Sequence, residues 1–175
     1  MPIDGRIQVY TGNGKGKTTA AFGLALRAAG RGYRTYIAQF VKGMHYAELD
    51  SVEKFLSDFI VIKQYGRGCF IHGKPSQEDI DCARAGLNEM KVILASGDYD
   101  LVILDEANIA VYFDLFSADA LLELLAVKKP TTEVVITGRY AHEKIIEAAD
   151  LVTEMTEIKH YYNTEKLQAR EGIEY

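Results

Sequence analysis

The chain has 175 residues, a formal net charge of −5, a pI near 5.4 and 48% hydrophobic residues. This length predicts a single domain, residues 1–175, with a substantial core, and the acidic balance argues against a protein that wraps nucleic acid. Because the N-terminal segment lacks a secretory signal pattern and no apolar run is long enough to span a membrane, we expect a cytoplasmic protein without membrane contact.

Short apolar segments rich in β-branched and aromatic residues alternate with segments of helical length along the chain. The predicted strands are residues 6–11, 33–41, 59–64, 100–104, 133–137 and 151–155. The predicted helices are residues 17–29, 47–57, 76–96, 117–126 and 142–148. This alternation predicts an α/β fold, with a predominantly parallel sheet of about six strands and helices on both faces.

Local signals mark several of these boundaries. Gly30 is expected to end the first helix, and Ser117 to cap the fourth. Pro75-Ser76-x-x-Asp79 resembles a turn followed by the N-cap of the third helix. The segments 65–74 and 156–175 have no assigned element. In open α/β sheets such segments are often found at the carboxyl edge of the strands, where ligands bind.

Cysteine and histidine usage gives no indication of a metal or disulfide framework. Cys69 and Cys82 lack the C-x-x-C spacing of a zinc or redox motif, so we expect free thiols. The four histidines are not spaced as metal ligands.

The stretch VYTGNGKGKTTAAFG is a strand, a glycine-rich turn and a helix, the context in which a phosphate-binding loop occurs. Its glycines permit positive φ, so that successive N–H groups point at phosphate oxygens beside the positive end of the helix. The loop is irregular, because Thr11 stands where G-x-x-x-x-G-K-[ST] has its first glycine. A glycine-rich turn with solvated lysines is the alternative.

Three side chains of this loop have expected roles in phosphate and metal binding. Lys17 is expected to neutralise a phosphoryl oxygen, Lys15 to add charge, and Thr18 to offer its hydroxyl to Mg²⁺. The segment LVILDEAN ends an apolar strand in Asp105 and Glu106, where carboxylates hold Mg²⁺ directly or through water. Alone, such a pair is more often simply solvated. Together these residues indicate a magnesium–nucleotide enzyme or switch, without showing which bond breaks.

Four stretches and the chain's ending resemble one family. They are TGNGKGKTTAAFG at 11–23, QFVKG at 39–43, LDEAN at 104–108, TGR at 137–139 and the ending IKHYYNTEKLQAREGIEY. Together they resemble the phosphate-loop type of ATP:corrinoid adenosyltransferase over nearly the whole chain. The resemblance implies a P-loop NTPase fold of RecA-like type.

The resemblance also explains the irregular loop. In this family the short loop holds ATP in the reverse sense from kinases, so that a cobalt(I) corrinoid attacks the ribose 5′-carbon and inorganic triphosphate leaves. Lys17 and Glu106 are then the catalytic residues, and Thr18, Glu106 and Asp105 hold Mg²⁺. The residues implied for ATP are Gly12, Asn13, Gly14, Lys15, Gly16, Lys17, Thr18, Thr19 and Arg27.

Two of these residues also have a structural explanation that involves no contact with ATP. Asn13 is a residue tolerant of turn geometry. Arg27, near the end of a helix, also suits the helix dipole.

The corrinoid end departs from the family pattern. Many members carry a Phe and a Trp in the segment matching residues 66–74, whereas this chain has no Trp. Phe70 is the natural counterpart, with Ile71 or His72 in place of the second ring. The alternative is that Phe70 and Ile71 are ordinary core residues.

The resemblance further implies a homodimer and a reduced flavoprotein as electron donor, with cobalamin, cobinamide or a biosynthetic a,c-diamide as corrinoid. Any lid over the site is expected from residues 156–175 or a partner subunit. Two rival functions stay open. One is a small kinase that transfers the γ-phosphate to a hydroxyl, and the other is a non-catalytic protein that binds ATP and a corrinoid.

Overall fold

Six strands form one parallel sheet in a computed structural model, which describes residues 4–67 and 73–175. The strands are β1 (Ile7–Thr11), β2 (Thr35–Phe40), β3 (Ile60–Tyr65), β4 (Leu101–Asp105), β5 (Glu133–Thr137) and β6 (Leu151–Glu154). Their order across the sheet is β3-β2-β4-β5-β1-β6, and every neighbouring pair is parallel. The α/β prediction is therefore confirmed, and the strand bounds differ from those expected by no more than two residues.

Helices connect the strands and cover both faces of the sheet. They are α1 (Lys17–Gly30), α2 (Ala47–Ser51), α3 (Gln77–Ser96), α4 (Ala107–Tyr112), α5 (Ala118–Ala126), α6 (Glu143–Ala148) and α7 (Tyr161–Glu165). Each crossover between parallel strands needs such an element, which is why strands and helices alternate.

The side chains of the central strands alternate between two buried clusters. In β4, Val102 and Leu104 pack in the cluster that includes α3, α5 and α6, whereas Leu101 and Ile103 pack in the cluster that includes α1. Since successive strand residues point to opposite faces, a strand covered on both sides is apolar along most of its length. All five residues of β4 are buried, as the sequence pattern predicted.

Helix caps agree with the sequence at two of three places. Ser76 and Asp79 form a reciprocal capping box at α3, and the Ser117 hydroxyl accepts a hydrogen bond from the Ala120 N–H at α5. Helix α1 does end at Gly30, but the left-handed residue that reverses the chain is Gly32, with φ 85°. Gly30 therefore does not supply the turn itself.

Three helical features differ from the sequence-based expectation. The helix expected at 47–57 is α-helical only to Ser51 and continues as a π-helix over Val52–Leu56. The short helices α4 and α7 were not predicted, because one or two turns give too few residues for a helical period to be recognised. In the ranges 4–67 and 73–175, no helix combines the length and apolar character needed to cross a membrane.

Candidate functional site

Four neighbouring strands end at one edge of the sheet, and each is followed at once by a residue with positive φ. These residues are Gly12 after β1 (93°), Val41 after β2 (61°), Glu106 after β4 (59°) and Gly138 after β5 (126°). The segments that follow these four strands contribute residues to one cleft. Val41 and Glu106 adopt this conformation without the freedom of glycine, and such strain is concentrated at functional sites.

The phosphate loop connects β1 to α1 and packs against the end of β6. The Gly14 N–H donates to the Met155 carbonyl at 2.7 Å. A Cβ at Gly12 would lie 2.5 Å from that same oxygen, so only glycine fits there. Gly16 (φ 119°) then directs the chain into α1, whose positive N-terminal end points at the edge where the four loops meet.

Lys17 lies inside this loop. The residue is 8% exposed, and its Nζ donates to the carbonyl oxygens of Gly12 at 2.8 Å and Gly14 at 2.7 Å. Burial lowers the pKa of Lys17; Glu106 acts in the opposite direction, and Arg139 adds to the lowering. The loop therefore holds a desolvated cation at its centre, where its charge acts most strongly on an anion.

Asp105 ends β4 and is fully buried. Its Oδ1 accepts hydrogen bonds from the Thr18 hydroxyl at 2.8 Å and the Thr137 hydroxyl at 2.7 Å. Its Oδ2 accepts from Lys42 Nζ at 2.8 Å and Gln39 Nε2 at 3.2 Å. We call these five residues the Asp105 cluster. Four donors from β2, β5 and the segments that follow β1 and β2 satisfy this carboxylate, as a buried charge requires.

Glu106 is half-buried beside this cluster, and its backbone N–H donates to the Thr137 hydroxyl at 3.0 Å. Burial raises the pKa of the Glu106 carboxyl, and the negative charge of Asp105 raises it further, while Lys42, Lys17 and Arg139 act in the opposite direction. Across residues 4–67 and 73–175, no protein group donates a hydrogen bond to the Glu106 carboxylate within hydrogen-bond distance. The Glu106 carboxylate is therefore available to a ligand.

The C-terminal segment lies against the loop from outside. Lys15 Nζ is 2.6 Å from the Glu174 carboxylate and 3.0 Å from the Tyr161 hydroxyl, and Glu174 also pairs with Arg170 at 3.2 Å. We call these four residues the Glu174 cluster. Hydrogen bonds from Arg170, Lys15 and Tyr161 hold the pKa of Glu174 well below its usual range, and Glu174 and Tyr161 raise that of Lys15.

These elements enclose a cleft of about 750 Å³. One end is the phosphate loop, with Glu106, Lys42 and Arg139 around it. The other is apolar and is formed by α1 and the π-helical stretch Val52–Leu56. Its apolar side chains are Phe22, Leu26, Val52 and Leu56. The tail residues Gly172–Tyr175 form a further wall. A cleft with a charged end and an apolar end suits a ligand that is phosphorylated at one end and aromatic at the other.

The structure brings most residues of the sequence-predicted site into this cleft. Its lining includes Asn13, Gly14, Lys15, Gly16, Lys17, Thr18, Thr19 and Glu106. Asp105 lies directly behind Thr18. Arg27 is exposed in the last turn of α1 and is not part of the lining, so its contact with ATP stays a prediction. Phe70 and Ile71 lie outside the described residues.

Sequence reasoning missed three groups at this edge. Lys42, Arg139 and the Tyr161–Glu174 contact were not assigned roles, although all line the cleft or bind a loop residue. A signal was present for two of them. In QFVKG and TGR, Lys42 and Arg139 each come two residues after the end of a strand, and the carboxyl ends of parallel strands meet at one edge of a sheet.

Comparisons with known proteins agree on one family. The model of the family described as ATP:corrinoid adenosyltransferase BtuR/CobO/CobP matches residues 4–175. The corrinoid adenosyltransferase of a Sinorhizobium species is 36% identical over 173 residues, covering 98% of this chain and 80% of the relative. That of Escherichia coli K12 is 36% identical over 172 residues, covering 98% and 86%. That of Pseudomonas aeruginosa is 34% identical over 171 residues, covering 98% and 84%.

Among solved structures, a KaiC-like protein from the hyperthermophilic archaeon Pyrococcus horikoshii has a TM-score of 0.59, covering 88% of this chain and 73% of that one. At 16% identity this likeness shows the fold alone. It agrees with the α/β fold expected from the sequence.

Proposed function

The chain belongs to the ATP:corrinoid adenosyltransferase family, enzymes that transfer the adenosyl group of ATP to a corrinoid, and we propose that this cleft is where the transfer takes place. In the proposed reaction, the electron pair of cobalt(I) forms the cobalt–carbon bond at the ribose 5′-carbon. The C5′–O bond breaks as triphosphate leaves with its electron pair. The observation that carries the proposal is the cleft itself, which has the phosphate loop at one end and an apolar wall at the other.

The protein's main task in such a reaction is electrostatic. Cobalt(I) is itself the nucleophile, so no general base is required, and negative charge grows on the triphosphate. We assign its stabilisation to Lys17, Lys15, the loop N–H groups and the N-terminal end of α1. The desolvated position of Lys17 supports this role, because its charge is little screened by water.

The residues present also fit a magnesium ion. The Thr18 hydroxyl and the Glu106 carboxylate both line the cleft, and Glu106 accepts no hydrogen bond from the described part of the chain. We propose that these two hold Mg²⁺ and that Asp105 supports them from behind, because four protein donors already surround its two oxygens. When bound, the metal neutralises charge on the triphosphate.

Other parts of the proposal follow from family membership. We propose that residues 1–175 act as one corrinoid adenosyltransferase domain in the cytoplasm, as a homodimer that receives electrons from a reduced flavoprotein. Phe70 and Ile71 are proposed to contact the corrinoid, whose identity as cobalamin, cobinamide or an a,c-diamide is open. Arg27 is retained as a proposed ATP contact.

An anaerobic assay with chemically reduced cobalamin, ATP and Mg²⁺ tests the reaction. We expect loss of the cobalt(I) absorbance, a photolabile adenosylated product and one triphosphate per product, all strongly reduced in Lys17→Ala. Lys63→Ala is the matched control, because Lys63 lies on β3 in a surface pair with Glu89. Release of ADP with cobalt(I) unchanged would favour a kinase instead, and binding of both substrates without a cobalt–carbon bond would favour a non-catalytic binding protein.

A further inference from the structure

Lys42 is held at the cleft by the backbone around it. It follows Val41, whose φ of 61° is strained for a β-branched residue, and it lies where β2 ends beside β3. A Cβ at Gly66 would lie 2.4 Å from the backbone nitrogen of Lys42, and one at Gly43 would lie 2.2 Å from the carbonyl carbon of Arg67. Neither position therefore has room for a side chain. Two glycines and one strained residue therefore fix the course of the chain on both sides of this lysine.

The Lys42 ammonium donates a hydrogen bond to Asp105 and lies near a second carboxylate, that of Glu48. Its Nζ lies 2.8 Å from Asp105 Oδ2, 3.6 Å from Glu48 Oε1 and 5.0 Å from the centre of the Tyr46 ring. The Lys42 side chain is 14% exposed and that of Asp105 is fully buried. Burial by itself lowers the pKa of Lys42, but the charge and hydrogen bond of Asp105, with Glu48 and Glu106, raise it above its usual value.

The opposite oxygen of Asp105 leads to the nucleotide site. Oδ1 accepts hydrogen bonds from the hydroxyls of Thr18 and Thr137. The Asp105 carboxylate therefore connects Lys42 on one side with the Thr18 hydroxyl on the other. A buried carboxylate keeps such hydrogen bonds only if its charge is compensated. In the described part of the chain, Lys42 is the only cation paired with Asp105.

We propose that Lys42 is a positioning residue, which acts through Asp105 to hold the Thr18 hydroxyl in place for the nucleotide. The inference rests on the proposed function in that it takes magnesium–ATP as the ligand. Lys42 also lines the cleft, so the competing explanation is that it contacts the nucleotide directly.

A double-mutant cycle separates the two explanations. Dissociation constants for magnesium–ATP, without corrinoid, are measured by calorimetry for Lys42→Met, Asp105→Asn and the double variant. We expect Lys42→Met to weaken binding by about 10–100-fold, the usual loss when an outer-shell partner is removed. In the double variant the asparagine carbonyl still accepts from Thr18 and needs no counter-charge. The double variant should therefore bind within about threefold of the wild type, and more tightly than Lys42→Met, which corresponds to strong coupling between the two positions.

Three results would overturn the proposal. They are wild-type affinity in Lys42→Met, a double variant as weak as Lys42→Met, and failure of Lys42→Arg to restore most of the affinity. Lys63→Met is the control for loss of a lysine and is expected to bind like the wild type.

If Lys42→Met does not fold, the double variant alone separates the two explanations. The double variant leaves neither partner of this pair charged and is expected to fold. Direct contact predicts that its affinity is about 10–100-fold below that of the wild type, whereas positioning predicts a loss within about threefold. Because no corrinoid is present, the cycle gives its answer whether or not the cobalamin assay detects adenosyl transfer.

Discussion

Two lysine–carboxylate pairs lie on opposite sides of the phosphate loop and differ mainly in burial. Lys42 and Asp105 approach to 2.8 Å, with the carboxylate fully buried among four donors. Lys15 and Glu174 approach to 2.6 Å, but the Lys15 side chain is 41% exposed. Similar N–O distances do not mean similar contributions to stability. Water screens the exposed pair, whereas a buried charge without its partner is strongly destabilising. We therefore expect the protein to depend on the Asp105 cluster for its stability and to tolerate loss of the Glu174 cluster.

The largest difference is expected in stability. Asp105→Ala leaves Lys42 without its buried partner, and we expect the free energy of unfolding to fall by about 3–5 kcal/mol. Urea denaturation followed by circular dichroism measures it. Glu174→Ala is the matched variant and should leave the urea midpoint unchanged. Equal effects of the two variants would contradict the comparison.

The two loop lysines extend the comparison to activity. Lys17 is buried and Lys15 is exposed. We expect Lys17→Ala to lower kcat/KM by about 10²–10³, as when a preorganised donor is removed from a reacting centre. Lys15→Ala should cost about tenfold or less, because its charge is screened. Steady-state adenosylation kinetics compare them. Similar losses would mean that burial does not separate their roles.

Glu106 gives the comparison a pH dependence. Its raised pKa means that the stability it contributes is present below the ordinary Glu pKa and is lost as pH rises through the raised value. Glu106→Gln removes this loss. We therefore expect the thermal unfolding midpoint of the variant to exceed that of the wild type at pH 8, and to do so by less at pH 5.

In the same variant, magnesium should no longer strengthen ATP binding. If the difference in unfolding midpoint were larger at pH 5 than at pH 8, the pKa of Glu106 would not be raised in the folded protein, and the prediction would be wrong.

The smallest effect is expected from the Glu174 cluster. The Glu174 carboxylate binds Lys15, which is also proposed to bind ATP, so the two compete for the same ammonium group. Glu174→Gln should therefore tighten magnesium–ATP binding by about two- to fivefold at low salt. The gain should shrink as salt screens the pair. Calorimetry at two salt concentrations measures both. Weaker binding in the variant would mean that the tail supports the nucleotide and does not compete with it.

The sequence predicted only part of each cluster. Thr18, Asp105 and Glu106 were assigned from short motifs, because the phosphate loop and a strand that ends in acidic residues each carry their chemistry within a few positions. Lys42 and Glu174 were not assigned. Lys42 is 63 residues from Asp105 along the chain, and Glu174 is 159 residues from Lys15.

By itself, the sequence determined the alternation of strands and helices, the phosphate loop and the family resemblance. These depend on periodicity and on neighbours along the chain, which the order of residues contains directly. Only the tertiary structure decided that β5 lies between β1 and β4, that Thr137 therefore reaches Asp105, and that the C-terminal tail closes one side of the cleft. The physical reason is that the strand order across the sheet, not distance along the chain, selects which side chains meet at its edge.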